Sequence, residues 1–325
     1  MKHITVIGAG ESGLAFIDRI RENNSKCAIT LLDKNTHHFS KATLMANPMD
    51  ITQRVELNEW TKSREVEFIN DTVERINPRR RKIYCKQNEV KDFEVLVVAA
   101  GLTSRDISIK GDHRDGFFYI SRIDPFKLRD LLSISSEVAI YVSTLLGLKI
   151  SLAIRTLGKE VRLVSKDLNF LREDKEKVLE TLKERGIILH LDSLIEEAVG
   201  EATVKATKIS PLKAFASQVV LVDSGFSANR RLFEEDLVTC DIFFTNFDEV
   251  YLLGDITRED IENDYFFDFN PSEAKEQASI LADYLLKAKA PIFQKRIVSW
   301  DERKKVIANL LEGNPKGSVK SIPSS

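Results

Sequence analysis

The chain has 325 residues and a formal net charge of -2, with 43% hydrophobic and 30% charged residues. That length exceeds one ordinary core and predicts two compact units. The near-zero charge gives no broad attraction to nucleic acid or to anionic membranes. No apolar run approaches the roughly 20 residues of a membrane span, and no leader pattern precedes the first strand-like segment, so a cytoplasmic location is expected.

Cys27, Cys85 and Cys240 lie far apart and form no C-x-x-C pair, which argues against a disulfide framework and a thiol-disulfide centre. His3, His37, His38, His113 and His190 have no metal-ligand spacing, so no metal site is expected.

Ile4-Thr5-Val6-Ile7 reads as a buried parallel strand. Gly8-Ala9-Gly10-Glu11-Ser12-Gly13 follows at once, and Leu14, Phe16, Ile17 and Ile20 then recur at helical spacing. This is G-x-G-x-x-G in the strand–turn–helix setting that gives the motif its meaning. Gly8 permits the turn, Gly10 leaves room for a pyrophosphate, and Gly13 lets the helix approach the strand. The helix then presents its first amides and the positive end of its dipole to the phosphates. A second strand, Cys27-Ala28-Ile29-Thr30-Leu31-Leu32, ends in Asp33, where a carboxylate can accept hydrogen bonds from ribose hydroxyls. Glu11 and Ser12 within the turn, Lys34 beside the acid, and Val73 complete the candidate contacts of this dinucleotide site.

Further along, Asn77-Pro78 followed by Arg79-Arg80-Arg81-Lys82 reads as a solvated hairpin turn rather than a nucleic-acid patch. Phe93-Glu94-Val95-Leu96-Val97-Val98-Ala99-Ala100-Gly101 is a strand with a glycine stop. A second Rossmann-like unit begins at the strand Val138-Ala139-Ile140-Tyr141-Val142, with a helix running to Gly158 and a strand at Val161-Arg162-Leu163-Val164. Its glycine turn is degenerate: with Gly147 as the third glycine, Val142 and Thr144 stand where the first two belong. β-Branched side chains restrict that turn and occupy the approach of a pyrophosphate. Ser165-Lys166 stands where an acid would bind the ribose; the pair suits the 2′-phosphate of NADP, or the site has lapsed and Lys166 is a solvated surface charge.

The strand Gln218-Val219-Val220-Leu221-Val222 runs into Asp223-Ser224-Gly225-Phe226-Ser227-Ala228-Asn229, and Val250-Tyr251-Leu252-Leu253-Gly254-Asp255 is a late strand with its own glycine stop. A helix over roughly 272–286 carries Ala274, Gln277 and Ala278. Before it, Tyr265, Phe266, Phe267 and Phe269 either line a quinone pocket over a cofactor or anchor a long loop. Ser299-Trp300-Asp301-Glu302 is a capping-box pattern ahead of Val306, Ile307, Leu310 and Leu311 on one helical face, with Arg303, Lys304 and Lys305 alongside. That helix either packs on its own domain or lies peripherally on a membrane or partner.

Three of these segments, the glycine turn at 8–13 and the strands ending at Gly101 and at Asp255, in this order resemble the FAD-dependent pyridine nucleotide-disulfide oxidoreductase family, and among its members the type II NADH dehydrogenase and rubredoxin reductase flavoproteins. The segment ending in Ala100-Gly101 resembles the family's "Y-D-x-L-h-h-A-T-G", and that ending in Gly254-Asp255 resembles "h-y-A-h-G-D". Residues 223–229 resemble the "A-x-G-x-x-P-N" return, with alanine replacing proline. The resemblance implies an α/β fold with two Rossmann-like dinucleotide-binding domains, the second inserted into the FAD domain. The FAD domain would cover residues 1–107 plus 229–325, and an NAD(P)-binding-like domain residues 108–228.

It further implies that Asp255 bonds the ribityl chain of FAD, that the helix bearing Ala274 points at the flavin, and that Lys41 lies beside the cofactor. The redox cysteine pair is missing, so the disulfide reductases are excluded; the family's C-terminal interface domain has no counterpart, so its usual dimer is not implied. The function expected is an FAD-dependent oxidoreductase passing electrons between a donor and a protein or quinone acceptor, with its nicotinamide site impaired. Two alternatives stand beside it: an NAD(P)H-dependent flavin reductase or dehydrogenase, and a non-catalytic FAD-binding subunit or redox sensor.

Overall fold

A computed structural model describes residues 2–23, 26–87, 91–211, 213–237, 239, 243–287 and 300–312. Two five-stranded parallel sheets organise them. The first is built on β1 (Ile4–Ile7), β2 (Ile29–Asp33), β3 (Glu67–Asn70), β4 (Val95–Val98) and a late strand at Val250–Leu252, in the order Val250–Leu252, β4, β1, β2, β3. β1, β4 and the late strand are buried along their whole length, as expected of parallel strands covered on both faces, and this is why they read as unbroken apolar runs. Helix α1 (Glu11–Glu22) lays Leu14, Phe16, Ile17 and Ile20 into the core on one of those faces.

The second sheet lies, in sequence, between β4 and the late strand of the first. It comprises β5 (Phe117–Tyr119), β6 (Glu137–Val142), β7 (Glu160–Val164), β8 (Ile188–His190) and β9 (Val219–Asp223), in the order β5, β9, β6, β7, β8. Helices α2 (Pro125–Ile134), α3 (Leu145–Thr156) and α4 (Lys175–Glu184) contribute Leu128, Ile150 and Val178 to the core on one face. A three-stranded antiparallel sheet over residues 195–216 covers the other face through Ala198, Val204 and Ile209. The chain leaves and re-enters the first unit through one antiparallel pair, Leu102–Ser104 against Phe226–Ala228. The architecture is therefore α/β, with two Rossmann-like units and the second inserted into the first.

The arginines at 79–81 lie in a hairpin turn between Val73–Asn77 and Lys82–Cys85, held by Arg80 N donating to Asn77 Oδ1 at 2.9 Å. The last two described helices are α5 (Pro271–Lys287) and α6 (Trp300–Glu312). α5 packs on α1, where Arg19 makes two hydrogen bonds to the Asp283 carboxylate at 3.1 and 3.2 Å. α6 follows the first unit's last helix in sequence, yet it packs on the second unit. Its Ile307 is 1% exposed there, with Val306, Leu310 and Leu311 around it. The Arg185 guanidinium donates to Leu311 O, and Lys304 pairs with Glu173. The apolar face that offered itself to a membrane is thus turned into the protein. Ser299 and Cys240 lie outside the described residues; Cys27 is buried and Cys85 half-buried.

Candidate functional site

A cleft of about 750 Å³ opens at the carboxyl ends of β1, β2 and β4, the end at which open parallel sheets bind ligands. Of the candidates from sequence, Gly8, Gly10, Glu11, Ser12, Asp33, Lys34, Lys41, Val73, Ala100, Gly101, Asp255 and Ala274 line it. Gly13 and Gly254 do not line it; both are buried behind its wall.

The three glycines of the turn have different neighbours. A Cβ on Gly8, whose φ is +103°, would stand 2.4 Å from Ala99 O, and one on Gly13 would stand 2.0 Å from Gly8 O. A Cβ on Gly10 would meet nothing within 4 Å, because that position faces the open cleft. No side chain caps α1, so the amides of its first turn, which have no intrahelical acceptor, remain for a ligand. Asp33 is held by Ala9 N on Oδ2 at 2.7 Å and by Asn35 N on Oδ1 at 2.8 Å. A carboxylate has about four acceptor positions, so each oxygen keeps capacity for a hydroxyl.

At the other end of the cleft, Gly254 adopts φ +77° and its amide donates to Gln277 Oε1 at 3.0 Å. Asp255 Oδ1 accepts from Arg258 at 3.0 Å, and Arg258 reaches both Glu273 oxygens at 3.1 Å. Burial pulls the Arg258 guanidinium down, but the two carboxylates leave it above its ordinary value. Arg258 was not singled out in the sequence; its spacing of three from Asp255 was the available signal.

Lys41 lines the same wall 5.3 Å from the Phe269 ring centroid. Burial holds its ammonium below the ordinary lysine value, against the opposing pull of Asp255. The other aromatic residues divide: Phe267 is 2% exposed in the core, while Tyr265 stacks on Phe170 of the second unit and Phe266 meets the same ring edge-on. His37, His38, Arg122, Phe126 and Arg231 also line the cleft, and sequence reasoning gave none of them a role there.

The second unit has the corresponding turn between β6 and α3. Val142 and Thr144 are 1% and 2% exposed, and Gly147 is buried. The residue that organises this turn is Asp223, at the end of β9. Its Oδ2 accepts from Thr144 N at 2.8 Å, Thr144 Oγ1 at 2.9 Å, Gly147 N at 3.1 Å and Ser143 N at 3.3 Å. Burial pushes the Asp223 carboxyl above its ordinary value, while the donors from Thr144, Gly225 and Ser143 pull it back. Ser165 is fully buried, and its hydroxyl contacts Val142 O at 2.7 Å and Asp167 O at 2.8 Å; Lys166 is exposed.

Among the described residues no cluster of His, Cys, Asp and Glu could hold a metal ion, and no helix is long and apolar enough to cross a membrane.

Two parallel-sheet units joined by one strand pair, with a glycine-rich turn opening into the first, define a dinucleotide-binding flavoprotein type of fold. The pyridine nucleotide-disulphide oxidoreductase family matches residues 2–275, and the chain belongs to it. A type II NADH:quinone oxidoreductase of Staphylococcus aureus (strain NCTC 8325 / PS 47) is 29% identical over 130 residues, covering 38% of this chain and 31% of that one. The match thus spans about a third of that relative's length. Among solved structures, a ferredoxin reductase from Rhodopseudomonas palustris aligns over 90% of this chain and 78% of its own at TM-score 0.71 and 17% identity. A putidaredoxin reductase bound covalently to putidaredoxin aligns over 90% and 77% at TM-score 0.73 and 14% identity. At such identities the agreement is one of fold.

Proposed function

We propose that this chain is an FAD-dependent oxidoreductase that passes electrons between a donor and a protein or quinone acceptor. The observation that carries the reading is one cleft into which an uncapped helix, the open position at Gly10, the Asp33 carboxylate and the Asp255 carboxylate all face. In this reading the FAD unit comprises residues 1–107 plus 229–325, and the nucleotide-like unit residues 108–228.

The first turn of α1, with Gly10, Glu11 and Ser12, takes the pyrophosphate. Asp33 and Lys34 take the adenosine ribose, with Val73, Ala100 and Gly101 along the same wall. Asp255, held in place by Arg258, orients the ribityl chain, and Ala274 at the start of α5 lies by the ring with Lys41. Gly8 and Gly13 allow close backbone approach at the turn, and Gly254 makes room for the Ser12 side chain. Bound flavin would supply the redox chemistry, and these residues supply position, electrostatics and access.

The nicotinamide site of the second unit is impaired in this reading. Support comes from the buried Val142 and Thr144 at the turn and from the Ser165 hydroxyl being engaged by main-chain carbonyls. The named activities of the relatives, on quinone and in complex with putidaredoxin, favour a quinone or a small redox protein as acceptor. The location that goes with the reading is cytoplasmic, and any peripheral membrane association would use a surface other than the apolar face of α6.

An anaerobic visible spectrum before and after NADH and then NADPH tests the proposal. Purified protein should show a flavin spectrum that dithionite bleaches and neither nucleotide does. Gly10→Val should fold and be colourless, since its side chain enters open space that the pyrophosphate needs. A fully flavinated Gly10→Val protein would sink the cofactor assignment, and prompt bleaching by either nucleotide would sink the impaired site.

A further inference from the structure

The N-terminus of α3 has no amide left for a ligand. Asp223 Oδ2 takes the amides of Ser143, Thr144 and Gly147 at 3.3, 2.8 and 3.1 Å. Leu145 N donates to Tyr265 O at 2.8 Å, and Leu146 N to Thr144 Oγ1 at 3.2 Å. Every backbone donor from 143 to 147 is thereby satisfied within the chain, whereas α1, the equivalent helix of the first unit, has no side-chain cap.

The carboxylate itself is 1% exposed and sits against the turn: a Cβ on Gly147 would stand 2.5 Å from Asp223 Oδ2. An anion at a helix N-terminus is what a dinucleotide pyrophosphate would be, so the side chain supplies internally the charge that a bound nucleotide would bring. Two further pieces hold the arrangement shut. Tyr265 and Phe266 are packed on Phe170 of the second unit, and the guanidinium of Arg303 from α6 lies 5.1 Å from the Phe266 ring centroid.

We infer that Asp223 is the residue that denies the second unit a dinucleotide: its carboxylate occupies the pyrophosphate position of α3 and converts a nucleotide site into a closed structural unit. The inference rests on the impaired nicotinamide site proposed above and assigns that impairment to one side chain. It has a direct consequence for reduction of a flavin in the first unit: electrons from a nicotinamide could not enter through α3, so the reductant must reach the open cleft from outside the second unit.

The test uses the full flavin-loaded chain, with NADH and NADPH as probes and two readouts, equilibrium binding and amide hydrogen exchange over residues 143–147. In the wild type these amides should exchange slowly with or without nucleotide, and neither nucleotide should bind saturably. Asp223→Asn keeps the space filled but removes the charge and one of the two acceptor oxygens, so both readouts should fall between the wild type and Asp223→Ala. Asp223→Ala should speed exchange of these amides and tighten binding of at least one nucleotide by about tenfold or more, with renewed protection when it binds. Asp223→Ser makes the same comparison if the alanine variant fails to fold.

Saturable nucleotide binding by the wild type that protects residues 143–147 would overturn the inference. So would faster exchange in Asp223→Ala, or in its serine substitute, with no gain in binding. Failure of the cofactor reading looks different, because the wild-type protein would then carry no flavin at all.

Discussion

Glu11 shows how a residue of the phosphate-binding turn can also serve the fold. Its carboxylate lies 3.5 Å from His38 Nε2, on the strand at 37–39 that forms part of the cleft wall. The hydrogen bond from His38 holds the Glu11 carboxyl below its usual value, burial opposes this, and Ser40 and Lys275 add smaller pulls in the same sense as His38. A carboxyl whose folded value is depressed stabilises the protein above its unfolded value, and that contribution disappears as pH falls through the folded value. Glu11→Gln should therefore cost about 1 kcal/mol near neutral pH, and the difference from wild type should vanish as acid protonates the Glu11 carboxyl. Urea unfolding of both proteins across that range measures it; a difference that persists in acid would mean the pair is not ionic. Gly8, Gly10 and Gly13 were legible in the sequence because their roles are local to one turn. His38 was not, because its partner lies across a loop and is met only after the chain folds back.

At the scale of the element, α1 depends on how closely it can approach its own strand. The Gly13 Cα lies so near Gly8 that an added Cβ would stand 2.0 Å from Gly8 O, backbone against side chain with nothing flexible to yield. Gly13→Ala should therefore destabilise the protein by about 3 kcal/mol, at the upper end of overpacking costs, measured by chemical denaturation. Its loss of flavin should follow its loss of fold, whereas Gly10→Val should lose flavin alone. The same element scale separates the two nucleotide-type helices. α1 begins at an open turn, and the acceptors for its first amides are left to a ligand. α3 is capped by Asp223 because β9 lies beside β6 with Val142 opposite Asp223. The degenerate turn at Val142 and Thr144 was readable in the sequence; the acid that fills it was not, since nothing local connects residues so far apart in the chain.

For the whole molecule, the decisive feature is that segments of the first unit's sequence close the second unit. The loop carrying Tyr265 and Phe266 reaches Phe170, and α6 buries Ile307 in the second unit's core. Ile307→Ala should cost about 3 kcal/mol, as for other fully buried aliphatic truncations, and should loosen the second unit in particular. Hydrogen exchange by segment checks this: amides of α4 and β8 should lose protection, while those of β1 and β4 keep theirs. Equal loss in both units would mean that α6 braces the molecule as a whole.

The amino-acid sequence by itself determined the α/β alternation, the glycine turn, the acid at the end of β2 and the late glycine-aspartate pair. All of these are set by contacts within a strand, a turn and the next helix, so periodicity and steric rules expose them. Tertiary structure alone decided that Asp223 caps α3, that Arg258 braces Asp255 against Glu273, and that the apolar face of α6 is buried in the second unit. Those outcomes depend on which strands become neighbours and which surfaces meet, and a side chain's hydrogen-bond partner is fixed only when both ends of a long loop have been brought together.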